Sequence, residues 1–414
     1  SRARRRFLVD MTSPIPIKLA RRSRSPNPPR NVPERSTVMN EKISRFLETH
    51  QPSTPCLVVD IDIVRDNYNA LRASLPQADI YYAVKANPAP QILEALVSLG
   101  AHFDAASFAE IEFCLEAGAK ASALSYGNTI KKQTDIARAH EAGVALFTFD
   151  SAAELEKLAA AAPGARVICR ILMENDDAQW PLSRKFGCDP AMAKDLLIAA
   201  KSKGLKPYGV SFHVGSQQIN PRQWIAAIAK TAALFADTAR SGVDLEAINL
   251  GGGFPASYRD QVPEVAAYGD IIATALTESF GNAPPRVIVE PGRGLCGDAG
   301  VIQSEVVLIS RKSADDETRW IYLDAGKFGG LPETTEERIQ YRIRTPHDGS
   351  ATGPVIIAGP TCEELDILYD EAGYELPLDL KIGDKIEFLS AGAYTATYAS
   401  VGFNGYPPLD EYYI

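Results

Sequence analysis

Between residue 53 and about residue 295 the sequence switches repeatedly between short runs rich in β-branched and aromatic residues and longer stretches of helical periodicity. Such alternation implies parallel strands joined by crossover helices, which leaves few folds open. Eight runs qualify as strands: 79–85 (DIYYAVK), 101–107, 123–128, 145–151, 165–172, 207–214, 247–253 and 286–292; each but the last is followed by a helical stretch. Eight such units predict an α/β fold of the (β/α)8 barrel kind over residues 38–294. The rival, a doubly wound open sheet, would carry a glycine-rich phosphate loop after its first strand. Here that strand ends on Lys85 instead. An extra apolar run, PCLVVDID at 55–62, precedes the barrel and belongs either to a second domain or to a bridge between the two. From residue 295 the pattern becomes short strands and turns, as in VIQSEVVLIS, RWIYLDAG, PVIIAG and the hairpin-like LKIGDKIEFLS, which predicts an all-β domain over 295–414.

In a barrel of this kind the carboxyl ends of the strands form the active face, and a phosphate site commonly follows strands 7 and 8. Those two ends carry GGGF (251–254) and EPGR (290–293). Gly251, Gly252 and Gly253 let backbone N–H groups approach an anion without interference from a Cβ, and Arg293 is suited to a bidentate contact. The other strand ends bring Lys85, Asp104 with Glu110, Arg170, and His213 with Ser216, while Glu290 opens EPGR. Taken singly, each has a plain reading: a solvated cap for the lysine, a core histidine, a sharp turn at the glycines. Convergence of an amine, an imidazole, acids and a phosphate cradle on one mouth points instead to pyridoxal phosphate. Its aldehyde needs a lysine, its phosphate a cradle, and its ring nitrogen an acid.

Other features narrow the class. The six cysteines are scattered without a C-x-x-C pair, which argues for reduced thiols in a cytoplasmic setting and against a zinc or other metal site. No apolar run is long enough to span a membrane, and no nucleic-acid partner is expected. The formal net charge of −9 hides a basic segment, residues 1–37, whose only acids are Asp10 and Glu34. Rich in arginine, serine and proline, it is expected to be disordered. Its readings are a cloning remnant, a start upstream of Met39, a basic arm or a transit-like peptide.

The motifs YYAVKANP, FDAASFAEIE, PLSRKFG, GVSFHVGSQ, GGGFP, EPGR, GPTCEELD and GAYTATYASVGFNG run in order from about residue 53 to the C-terminus. In this the chain resembles the ornithine and lysine decarboxylases that share the alanine-racemase fold. The resemblance implies that Lys85 holds the cofactor covalently and that Glu290 pairs with its ring nitrogen. It also implies that His213 stacks on the ring, and that Ser216, the glycines (Gly251–Gly253 and Gly292), Arg293 and Tyr394 hold the phosphate end. Asp104, Glu110 and Arg170 become a supporting shell. Cys362 is implied to reach the active site of a partner subunit in a homodimer and to return a proton to the substrate carbon. The family usually has aspartate after this cysteine, to grip the distal ammonium of the substrate; this chain has Glu363, and Glu336 or Glu337 offers a second acid. The expected reaction is decarboxylation of ornithine to putrescine, with lysine to cadaverine second, in polyamine biosynthesis. Alternatives are diaminopimelate decarboxylase, whose substrate would need an arginine clamp not found near Glu363, an amino-acid racemase, and a catalytically inactive regulatory homologue.

Overall fold

A computed structural model describes residues 41–173, 178–180 and 185–414; the basic segment 1–37 and residues 181–184 of the PLSRKFG motif lie outside them. Eight parallel strands close into a barrel: Ala78–Ala83, His102–Ala105, Leu124–Tyr126, Leu146–Phe149, Arg166–Arg170, Lys206–Ser211, Ala247–Asn249 and Arg286–Val289. These are the eight runs expected, each shortened at its carboxyl end, where the chain leaves the sheet to build the active face. Both faces of the barrel strands are covered, so their residues are almost continuously buried and do not alternate with polar ones. Alternation survives as a division of the core. Tyr81, Leu146, Ile168, Tyr208, Ala247 and Ile288 from six strands meet as one cluster in the barrel interior. Their neighbours Tyr82, Phe147, Val167 and Ile248 join the larger core shared with the helices.

Helices start where the sequence supplies caps. Ser107 and Ser151 accept from the backbone N–H of Glu110 and Glu154 at the starts of Phe108–Glu116 and Ala152–Ala161. Asp189 caps Pro190–Ser202, whose Pro190 lacks an N–H that would otherwise go unpaired. The eighth strand is followed only by the short helix Arg293–Cys296, so the ring of helices is closed by Ile61–Ser74, which precedes the first strand. Its packing against Val265–Phe280 is close enough that a Cβ on Gly269 would meet the Ser74 carbonyl at 2.3 Å.

A nine-stranded, mostly antiparallel sheet follows. Its long strand Gly300–Ser310 pairs with Arg319–Leu323, Lys385–Leu389 and Cys56–Val59. Cys56–Val59 in turn lies parallel to Asp410–Tyr413, so the run ahead of the barrel and the C-terminal strand share this sheet. The expected LKIGDKIEFLS hairpin has only one strand, Lys385–Leu389. The residues before it form a tight turn in which Asp384 accepts from the Lys381 N–H and Gly383 donates to Val306, leaving Ile382 exposed. Among the described residues no helix is long and apolar enough to cross a membrane, and no cluster of His, Cys, Asp or Glu is placed to hold a metal ion.

Candidate active site

Lys85 lies in the 3-10 turn Val84–Ala86, one step beyond the first barrel strand. Its Nζ is 3.2 Å from Asp104 Oδ2 at the end of the second strand. The side chain is 48% exposed through the cavity it enters, although its amine lies deep among protein atoms. Burial works against the charged amine, but Asp104, Tyr394, Glu290 and Glu110 outweigh it and hold Lys85 above its usual value. The second carboxylate oxygen of Asp104 is buried without a hydrogen-bond partner among the described atoms. It packs against Gly127, where a Cβ would come within 1.8 Å of it. Glu110 turns back instead and accepts from the Ala106 N–H at 2.6 Å, so it braces the turn that leads into its own helix and reaches Lys85 only through its field.

His213 follows the sixth strand, and its Nδ1 accepts from the Gly215 N–H at 2.9 Å. Burial, together with the nearby Arg170 and Lys85 charges, pushes its pKa well below the usual value, so the ring is neutral with its proton on Nε2. Arg170, at the end of the fifth strand, lies 5.2 Å from the Phe186 ring centre; burial lowers its pKa, against the pull of Glu290, Asp104 and Asp150. Glu290 immediately follows the eighth strand. Burial and Asp104 push its carboxyl up to about 7, against Lys85, Arg170 and a 2.5 Å hydrogen bond donated by Asn249.

The glycine run leaves its backbone bare at the barrel mouth. Gly251 and Gly253 have φ of 66° and 112°, and a Cβ on Gly252 would meet the Glu290 carbonyl at 2.5 Å. Gly292 is equally crowded, with Tyr394 Oη 2.9 Å from where its Cβ would be. Tyr394 comes from the segment after the β-sheet strand Lys385–Leu389, has a left-handed φ of 56°, and donates its N–H to the Ala86 carbonyl at 2.9 Å. A non-glycine residue in this region is uncommon and is held there by its surroundings.

Arg293 differs from the expectation. Its guanidinium fork, read as free to grip a phosphate, is bidentate to Glu333 at 2.6 and 2.7 Å and also donates to Tyr258 and Ser216. A fully buried arginine needs a counter-charge, and Glu333 supplies it from the turn Pro332–Glu337. Lys85, His213, Ser216, Gly252, Gly253, Glu290, Gly292, Arg293, Glu333 and Tyr394 line one cavity of about 200 Å³. A more open groove of about 700 Å³ nearby, bordered by Glu94, Phe113, Glu116 and Glu411, carries none of the chemical groups above.

Asp104, Glu110, Arg170 and Gly251 stand behind this lining, and the four residues expected to meet the substrate, Cys362, Glu363, Glu336 and Glu337, are not part of it. Cys362 is exposed, on a turn held by Asp366, which accepts from the Thr361 N–H and hydroxyl and from the Lys327 N–H. Glu363 is exposed beside it. Glu336 pairs with Arg338, and Glu337 accepts from the N–H groups of Asp370 and Glu371. Consecutive left-handed φ values of 54° and 52° turn these two acids away from the cavity that Glu333 enters. Sequence reading missed Asn249 and Glu333. A polar residue ending an apolar strand just before the glycines could have flagged the first; nothing separates Glu333 from its acidic neighbours without the fold.

Barrel, β-sheet domain, lysine and glycine cradle together define the class of alanine-racemase-fold pyridoxal-phosphate enzymes. Residues 61–297 match the family model of the pyridoxal-dependent decarboxylases, pyridoxal binding domain. A lysine/ornithine decarboxylase of Selenomonas ruminantium is 35% identical over 369 residues, covering 89% of this chain and 91% of the relative. Among solved structures, the arginine decarboxylase of Paramecium bursaria Chlorella virus bound to agmatine superposes with a TM-score of 0.83 at 28% identity, over 91% of this chain and all of that one. A lysine/ornithine decarboxylase of Vibrio vulnificus complexed with cadaverine gives 0.80 at 29% identity, over 90% and 98%. The chain belongs to the pyridoxal-dependent decarboxylase family, and its cofactor is pyridoxal 5′-phosphate. The residues present fit that group: an amine for the aldehyde, bare backbone for the phosphate and a buried carboxyl for the ring nitrogen.

Proposed function

We propose that this chain decarboxylates a basic L-amino acid, ornithine first and lysine second, releasing carbon dioxide with putrescine or cadaverine. The observation that carries the reading is the meeting of Lys85, the glycine cradle and the buried Glu290 in one small cavity. Relatives that act, by name, on lysine, ornithine and arginine support a basic substrate. When bound, pyridoxal phosphate supplies an electron-poor ring that accepts the electron pair left as carbon dioxide departs.

The chain's own residues do the rest. Lys85 Nζ would hold the cofactor and move a proton at its amine, which Asp104 at 3.2 Å keeps in place. Glu290, once ionised, would keep a proton on the ring nitrogen, and neutral His213 would offer a flat face without a competing charge. Backbone N–H groups of the glycine loop, with Ser216 and Tyr394, would take the phosphate, with Arg293 present as one half of a neutralised pair with Glu333.

Cys362 and Glu363 lie outside the cavity of their own chain, so their roles need a second copy. In a homodimer, Cys362 would protonate the carbon that has lost carbon dioxide, and Glu363 would take the distal ammonium of the substrate. The test offers ornithine, lysine, arginine and diaminopimelate separately to the cofactor-loaded protein and identifies each amine product. Putrescine formed fastest is the expected result; a preference for diaminopimelate or arginine would overturn the substrate assignment.

A further inference from the structure

Asn249 is the last residue of the seventh barrel strand and is buried, 1% exposed. Its side chain makes two bonds. The amide nitrogen donates to Glu290 Oε1 at 2.5 Å, and the amide oxygen accepts from the Gly251 N–H at 2.9 Å. The two partners fix the amide's orientation, since a carboxylate accepts and a backbone N–H donates. Gly251 in turn accepts from the Glu290 N–H at 2.8 Å. The strand ends are thus joined through both backbone and side chain, at the point where the glycine loop begins.

We propose that Asn249 is a positioning residue that ties the carboxyl of Glu290 to the backbone of the glycine loop, so that one side chain sets both the ring-nitrogen partner and the phosphate cradle. The proposal rests on the reading that Glu290 faces the ring nitrogen and the loop faces the phosphate. Chemistry restricts the residue. Aspartate keeps the acceptor for Gly251 but loses the donor, while serine is too short to reach both partners. The charged groups acting on Glu290 are Asp104 from the second strand, Lys85 from the first and Arg170 from the fifth. Asn249 is the neutral donor among them and favours the ionised carboxylate without adding charge.

The test compares wild type with Asn249→Asp, Asn249→Ala and Glu290→Gln, each checked for fold by circular dichroism. Cofactor-free protein is titrated with pyridoxal phosphate and with pyridoxal, which lacks the phosphate, by visible absorbance. The pH profile of kcat/KM is then measured on the loaded enzymes with the preferred diamino acid. Asn249→Asp sets a second carboxyl against Glu290, so the two share a proton and the acid limb moves up by about one pH unit or more. Its preference for phosphate-bearing cofactor stays near wild type, because the Gly251 contact remains. Asn249→Ala loses both bonds, and that preference falls by about tenfold, the equivalent of ~1.4 kcal/mol. Should Asn249→Ala fail to fold, Asn249→Ser takes its place. An unmoved acid limb in Asn249→Asp, with Glu290→Gln impaired, overturns the link to Glu290. Unchanged phosphate preference in the shorter variant overturns the link to the loop. If Glu290→Gln itself matches wild type in spectrum and kcat, the ring-nitrogen reading fails, and the coupling is overturned with it only if the phosphate preference is also unchanged.

Discussion

Glu290 shows how one buried carboxyl ties function to stability. Its folded pKa of about 7 stands above the ordinary carboxyl value, chiefly because burial disfavours its charge. The folded protein therefore holds a proton that the unfolded chain releases near pH ~4.3. Stability from this group is full below that value and is lost as pH rises through about 7. In cofactor-free protein, Glu290→Gln should raise the stability measured by denaturant unfolding at pH 8 by at most about 4 kcal/mol, with little change at pH 4. Equal stability of the two proteins at both pH values would show that Glu290 is not strained by burial. That an acid stands at 290 could be read from EPGR. That Asn249 holds it could not, because a 2.5 Å contact between residues 41 positions apart exists only once two strands lie side by side.

At the scale of elements, the glycine loop and the turn Pro332–Glu337 make opposite demands. The loop needs absence: Gly252→Ala would drive a methyl group into the Glu290 carbonyl, and neither backbone can yield without opening the barrel mouth. Cofactor affinity, measured by absorbance titration, should fall by about tenfold or more, ~1.4 kcal/mol per decade, while the melting temperature of cofactor-free protein changes less. The turn needs a charge. Glu333→Ala leaves the Arg293 guanidinium buried without its carboxylate, and breaking such a pair costs about 3–5 kcal/mol. Urea unfolding should show that loss; a variant as stable as wild type would mean that Arg293 finds another partner. GGG announces the first demand in the sequence only together with EPGR after the next strand, since alone it also reads as a sharp turn. The second was illegible, since PETTEE presents three acids and only the backbone turn at residues 336–337 decides which of them faces inward.

Over the whole molecule, the sheet built from Cys56–Val59, Gly300–Ser310 and Asp410–Tyr413 draws together segments from before the barrel, after it and the C-terminus. The same part of the chain sends Tyr394 into the cavity but leaves Cys362 on the surface. If a second copy completes the site, mixing inactive Lys85→Ala with inactive Cys362→Ala should restore about a quarter of wild-type activity. Half of randomly paired dimers are then mixed, each with one intact site of two. No recovery, with subunit exchange shown by mass spectrometry, would place both residues in the site of one subunit. The amino-acid sequence by itself determined the strand and helix order, the lysine, the glycines and the acid of the site, because periodicity and the chemistry of single residue types are local properties. Tertiary structure alone decided that Arg293 faces Glu333, that Asn249 bridges Glu290 and Gly251, and that Glu336 and Glu337 turn away. Those outcomes depend on which side chains meet after the barrel closes and on which charges must then be neutralised out of water.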